Sequence, residues 1–238
     1  MRLALSLLLV LTACSVTPAD PVALLDGWRE VMRQQKSVRL DVKIEVGGKH
    51  PHEQAYAGVL HFSGMGGTPQ HDVTAHRESR YGTIDYRSVR VQDDDYLSHS
   101  DLTLPPGKEF SGMGLDDALW VGALSVELSL AQQAYAPSGA FSGIDRKTLR
   151  LTEHDGDRYV FAAGGVPHSG GYTNGDVRLV VEVDDENRPV RVERSAPTVD
   201  EQTERLTAVY SQWSTAPDVL RPPQEVVAKP KDVVVQRR

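Results

Sequence analysis

The residue with the most specific chemistry is Cys14, the single cysteine among 238 residues. It follows Arg2, a run from Leu3 to Leu11 that is apolar apart from Ser6, and the small residues Thr12 and Ala13. That run is shorter than the roughly 20 apolar residues needed to span a hydrocarbon core. A charged start, a short apolar middle and small residues at its end are the layout of a secretory signal. A thiol is a nucleophile, and small residues beside it let a peptidase approach the backbone. With no second cysteine, neither a disulfide nor a paired catalytic or metal-binding thiol can form within the chain.

Other reactive side chains form weaker patterns. Eight histidines invite a metal hypothesis. His50-Pro51-His52 stands in a glycine-rich stretch, and His71 and His76 share one strand pattern. Their odd separation puts them on opposite faces of a strand, and no Asp or Glu joins them at a ligand spacing. The histidines are therefore expected in loops and on the surface, and neither metal nor cofactor is expected. Asp93-Asp94-Asp95 lacks the alternating ligands and distant glutamate of a calcium loop and reads as the acidic tip of a hairpin. No G-x-S-x-G elbow, phosphate-cradling G-x-x-x-x-G-K or H-E-x-x-H occurs, so no catalytic residue is assigned and enzymatic activity is not expected. A Ser-His-Asp triad assembled from distant residues is a third, weaker reading. With 26 basic against 33 acidic side chains and a formal charge of −7, the surface repels polyanions, so nucleic acid is not an expected partner.

The elements that must position anything functional are legible from period. Asp20 suits an N-cap and Pro21 the first helical position; Val22, Leu25, Trp28 and Met32 then recur at helical spacing to about Gln35. From Ser37 the period is two: Val38, Leu40, Val42, Ile44 and Val46 alternate with polar residues, giving a strand with one apolar face. Further strands are expected at 56–62, 71–79, 83–91 and 95–98, with a β-bulge at Ser88 where the alternation slips. Residues 116–135 read as a very apolar helix. Strands resume at 147–153, 157–164, 176–183, 188–195 and 204–213, joined by the turns His154–Asp157, Asn174-Gly175 and Asp184–Asn187, a pattern of antiparallel hairpins. Pro105-Pro106-Gly107 reads as a rigid turn. Residues 221–238, with three prolines, read as extended or disordered.

No βαβ alternation appears, so the fold class is α+β: a large curved antiparallel sheet, a half-barrel, with helices covering its concave face. At the N-terminus, Leu11-Thr12-Ala13-Cys14 resembles the lipobox of bacterial lipoproteins. That resemblance implies cleavage before Cys14 and diacylation of its thiol, hence attachment to the membrane and an extracytoplasmic location. DGWREVMRQQKSVRLDVKIEV, the strand DDDYLSHSDLTLPPGKEF before the apolar stretch, and the hairpins LRLTEHDGDRYVF and VRLVVEVDDENRPVRVERSAP resemble the LppX/LprG-type mycobacterial lipoproteins. That family shares its half-barrel with the LolA and LolB lipoprotein carriers. Where it has a tryptophan before the middle helix, this chain has Phe110, followed by Ser111-Gly112-Met113-Gly114.

The resemblance implies a signal peptide over 1–13, an acylated tether over 14–20, a half-barrel domain over 21–220 and a tail over 221–238, in a protein of an actinobacterial envelope. It implies a ligand, the acyl chains of a lipid or lipoglycan, held between sheet and helices. The residues expected to line that cavity are Leu40, Val42, Ile44, Tyr86, Val89, Leu119, Trp120, Ala123, Leu179 and Val181. The same residues would also make a filled core. In that case the protein is a lipid-anchored interaction or sensory module that binds a protein partner.

Overall fold

A computed structural model describes residues 20–62, 70–80, 82–92, 94–113, 139–141, 143–168, 171–172, 175–197 and 202–235. Cys14 and the expected helix over 116–135, with Leu119, Trp120 and Ala123, lie outside the described residues.

Helix α1 (Pro21–Gln34) starts as its sequence requires: the Asp20 carboxylate accepts from the Val22 N–H at 3.0 Å and proline occupies the first turn. Leu25, Trp28 and Met32 are its buried stripe. The first run of strands comprises β1 (Ser37–Gly47), β2 (His52–His61), β3 (Gln70–Ser79), β4 (Gly82–Val91), β5 (Asp94–His99), β6 (Leu102–Thr103) and β7 (Phe110–Met113). The second comprises β8 (Arg150–Asp155), β9 (Arg158–Gly164), β10 (Pro167–His168), β11 (Gly171–Tyr172), β12 (Asp176–Val183), β13 (Pro189–Pro197) and β14 (Thr203–Ser211). Two short strands, β15 (Val227–Ala228) and β16 (Val234–Val235), follow near the C-terminus.

Twelve of these form one sheet in the order β15-β7-β5-β4-β3-β2-β1-β14-β13-β12-β9-β8. Two antiparallel meanders, β1–β5 and β8–β14, are fused through the β1–β14 pair, whose register runs from Arg39–Ser211 to Gly47–Thr203. Only β15 with β7 is parallel among the pairs of this sheet. Two of the expected turns serve as hairpins: Gly156 with φ 57° sits between β8 and β9, and Asn187 with φ 57° between β12 and β13; Asn174 of the third lies outside the described residues. In the latter, Asp184 accepts from the N–H groups of Glu186 and Arg188 at 3.0 and 2.9 Å. The Trp28 indole donates to the Asn187 side chain at 3.1 Å, which locks α1 onto that turn. Lys108 N–H donating to Pro105 O at 3.1 Å, with Gly107 at φ 77°, makes the expected rigid turn.

Two features differ from expectation. No bulge occurs at Ser88: β4 keeps register with β3 and β5 through Val73–Ser88 and Ser88–Leu97. Ser88 stays on the α1-facing side, where His71 shares a hydrogen bond with it at 2.8 Å. Register shifts occur instead between Glu182 and Val183, and between Leu151 and Glu153. Secondly, His71 and His99 are buried at 2% and 7% exposure, not solvated. His71 shares its hydrogen bond with Ser88, and His99 accepts from the Asp101 N–H at 3.0 Å while its ring stacks on Tyr86 (5.9 Å, 11°).

The chain beyond β14 is extended, one of the two forms expected for 221–238, and it is bound. It leaves at the centre of the sheet, contacts β2 where His61 meets the Pro217 carbonyl at 2.8 Å, and reaches the far edge at β7. There Glu109 N–H donates to Val226 O at 2.8 Å, Lys108 to Glu225 O at 2.7 Å, and Arg221 pairs with Asp94. β16 then pairs with β6. This strap buries Val227 against Val89, Tyr96 and Phe110 on the outward side of the sheet.

Gly58, inside β2, marks a close approach of backbones. A Cβ there would sit 2.1 Å from the Asp72 carbonyl oxygen and 2.7 Å from Val73 Cα. Gly58→Ala should therefore cost on the order of 1–3 kcal/mol, the range for overpacking, read as a lowered urea midpoint at unchanged slope. Val227→Asp places an unpaired charge between the strap and the sheet and should cost roughly 3–5 kcal/mol. Amide exchange should rise in 226–235 and 110–113 while β12 and β13 stay protected; uniform protection throughout would show that the strap is not held by this cluster.

Candidate functional site

Strand registers align the inward side chains into rows that cross the sheet. One row runs His99, Tyr86, Ala75, Tyr56, Val42, Ala208, Val192, Val181, Tyr159 and His154, residue opposite residue from β5 to β8. Stacked His–Tyr pairs end it on both sides, His99 on Tyr86 and His154 on Tyr159 (4.3 Å, 17°). Beside it run Leu97, Ser88, Val73, Gly58, Leu40 and Tyr210 on one flank. On the other run Ile84, Arg77, Gln54, Ile44, Leu206, Arg194, Leu179 and Phe161. These rows are the wall that α1 and residues 139–149 face: Trp28 meets Tyr159 and Phe161 edge-on at 5.1 and 5.9 Å.

Of the residues expected to line a cavity, Leu40, Val42, Tyr86, Leu179 and Val181 are buried on this inner wall and Ile44 packs half-buried beside them. Val89 is not with them. It lies on the outward side with Tyr96, Phe110 and Val227. Phe110, at the position of the family's tryptophan, faces the same cluster, with the Arg87 guanidinium 5.4 Å from its ring centroid. Tyr56, Val73, Ala75, Phe161, Val192, Leu206 and Ala208 belong to the wall but were not singled out from sequence; their parity within strands is the signal that identifies them.

The wall is interrupted by polar groups near its two rims. At one, Arg194, 3% exposed, forms an ion pair with Glu204, and Arg77 and Gln54 stand in the same row as Arg194. At the other, Arg90 faces Asp95 at 3.4 Å; burial raises the Asp95 pKa, opposed by the Arg90 charge. Among the described residues the Tyr210 hydroxyl finds no hydrogen-bond partner, and burial pushes its pKa up. One small cavity, about 40 Å³, opens on the inner wall between Gln54, Tyr56, Ala75, Arg77, Ile84 and Tyr86.

The outward side carries a broader, shallower feature. A furrow of about 720 Å³ crosses β1–β5 over Ala55, Ala57, Thr74 and Ser98, flanked by Lys43, Asp85 and Arg87. It continues into a 290 Å³ gap roofed by Pro217, Asp218 and Val219 of the strap. Its charges are paired: Arg87 holds Asp72 with two hydrogen bonds of 2.8 Å, and Lys43 pairs with Glu45 and Glu53. A 2.6 Å hydrogen bond to Asp85 holds the His76 pKa above the ordinary imidazole value. No group of three metal-ligating side chains occurs among the described residues, and no helix among them is long and apolar enough to cross a membrane.

No protein-family model matches the chain, and no curated protein matches it. Solved structures do. The crystal structure of LprF from Mycobacterium bovis superposes with a TM-score of 0.51 at 11% identity, over 85% of this chain and 96% of that one. The crystal structure of the Mycobacterium tuberculosis lipoprotein LppX gives 0.46 at 12% identity, over 86% and 100%. At such identities the likeness to LprF speaks for the fold alone. Built as two fused antiparallel meanders with one continuous apolar face, the chain has the half-barrel fold of the LppX/LprG type.

Proposed function

We propose that this protein is a lipid-anchored component of the cell envelope that shelters acyl chains of a lipid or lipoglycan against the inner wall of its half-barrel. The observation that carries the reading is the apolar row from Tyr86 to Val181, continued across strands of both meanders. Burial of a methylene contributes about 0.8 kcal/mol, so a chain of roughly twelve carbons gains on the order of 10 kcal/mol without any specific polar contact. The fold likeness to LprF supports the same reading. A cavity of 40 Å³ between described residues is by itself too small for such a chain. Under this reading Cys14 carries the acyl anchor, and Leu119, Trp120 and Ala123 complete the lining with Leu40, Val42, Ile44, Tyr86, Leu179 and Val181. Two acyl chains would hold the protein durably, where one gives only marginal binding.

The 720 Å³ outward furrow and the small inner cavity favour one alternative: a closed-core module that docks a protein partner on its outward side. Native mass spectrometry of the Cys14→Ser protein, purified from a lipid-replete host, separates the two. Adducts with masses of acylated lipids, removed by organic extraction, are expected. A single apo mass, together with one dominant envelope protein recovered by crosslinking through the furrow, would establish the alternative. For the anchor, Cys14→Ser should abolish incorporation of radiolabelled palmitate and release the protein from the membrane fraction; labelling at the wild-type level would overturn that assignment.

A further inference from the structure

The inner wall is not uniformly apolar, and its polarity has a direction. The row next to Tyr56 and Tyr86 places Gln54 directly opposite Arg77, with Ile84 and Ile44 on either side. The small cavity opens at this point, and Gln54 and Arg77 line it together with both tyrosines. The Tyr56 hydroxyl donates to the Gln54 side-chain oxygen at 2.6 Å, which orients that amide. Arg90 and Asp95, near the opposite rim, face each other across adjacent strands and form an ion pair.

We infer that Arg77 and Gln54 hold the head group of the bound amphiphile, with its chain lying along the Tyr56–Val42–Ala208 row, and that the preferred ligand is anionic, a carboxylate or phosphate lipid. This rests on the lipid-sheltering reading above. A guanidinium carries five N–H donors in a planar fork, so Arg77 can serve an anionic oxygen in addition to a neighbouring group. Half-buried beside tyrosine rings, that contact is screened less than at the surface. The hydrogen-bonded tyrosine and glutamine fix the site without adding negative charge to repel the ligand. The chain gives most of the affinity; Arg77 decides between heads.

The test compares dodecanoate, monododecanoylglycerol and acetate binding to the Cys14→Ser protein by calorimetry, at pH 8 and below the critical micelle concentrations. Dodecanoate should bind about tenfold tighter than the neutral glyceride, the scale of one hydrogen bond to a charged group. Acetate, a carboxylate without a chain, should not bind. In Arg77→Met the preference should fall below about threefold through loss of dodecanoate affinity alone, and Arg77→Lys should restore part of it. Circular dichroism checks folding; where Arg77→Met does not fold, Gln54→Leu, which removes the polar amide, should reduce the same preference. Equal binding of the two lipids to the parent protein, or an undiminished preference in the variants, would overturn the head-group assignment while leaving lipid sheltering intact. Binding of neither lipid would overturn both.

Discussion

An open sheet of twelve strands has one apolar face that must be kept from water, and the other features of this protein answer that constraint. The face is continuous because β1 and β14 pair over nine residues, so the inward parity of the first meander is inherited by the second. A slip of one residue in that pair would turn half the wall outward. Trp28 works at the same junction of layers: its ring packs on Tyr159 and Phe161 while its N–H is held by Asn187. The indole thus fixes α1 to the turn between β12 and β13, and the hydrophobic stripe of the helix lands on the second meander.

The outward side faces a smaller version of the same problem. Val89, Tyr96 and Phe110 form an apolar patch near the β7 edge, and the strap from the C-terminus covers it with Val219, Val226 and Val227. The same segment adds β15 to that edge in parallel. An unpaired edge is a template for pairing with another chain; here the chain's own end occupies it. At the other edge, β8 is the last strand among the described residues, and it carries Arg150, Glu153 and Asp155 and is interrupted between Leu151 and Glu153. Both are ways of discouraging a further strand.

Much of this was legible in the amino-acid sequence. Strict alternation over 38–46 identifies β1 and its inward side, and Val177, Leu179, Val181 and Val183 do the same for β12 although Val180 breaks the alternation. Asp20-Pro21 marked the start of α1. What was not legible depends on partners remote in the chain. Val89 reads as inward because it is apolar, and Ser88 as a defect because it is polar. Yet His71 on the neighbouring strand satisfies Ser88, and Val227, 138 positions away by number, buries Val89. The prolines of 221–238 leave extended and disordered equally open, since no local period shows that Glu109 and Phe110 supply its hydrogen-bonding partners. The early start of β2 at His52 is of the same kind: residues 52–55 have little strand preference but lie between β1 and β3.

The Arg194–Glu204 pair shows that the inner wall is not built for stability alone. Arg194 stands between Leu206 and Leu179, and is nearly as buried as they are. Taking two charges out of water costs several kcal/mol per ion before their attraction repays it, and an apolar pair of similar size is often at least as stable. A wall whose only task was to seal itself would gain by losing them. The strands instead keep charge near the two rims, Arg77 and Arg194 at one and Arg90 with Asp95 at the other, and keep the central row between Ala75 and Val181 free of it. In a closed core such a pair would serve to specify one packing rather than to add stability. Under the proposed lipid-sheltering role the same division would also suit a ligand with a wet end and a dry end, because each misplaced half is then opposed, the head by the apolar centre and the chain by the polar rim.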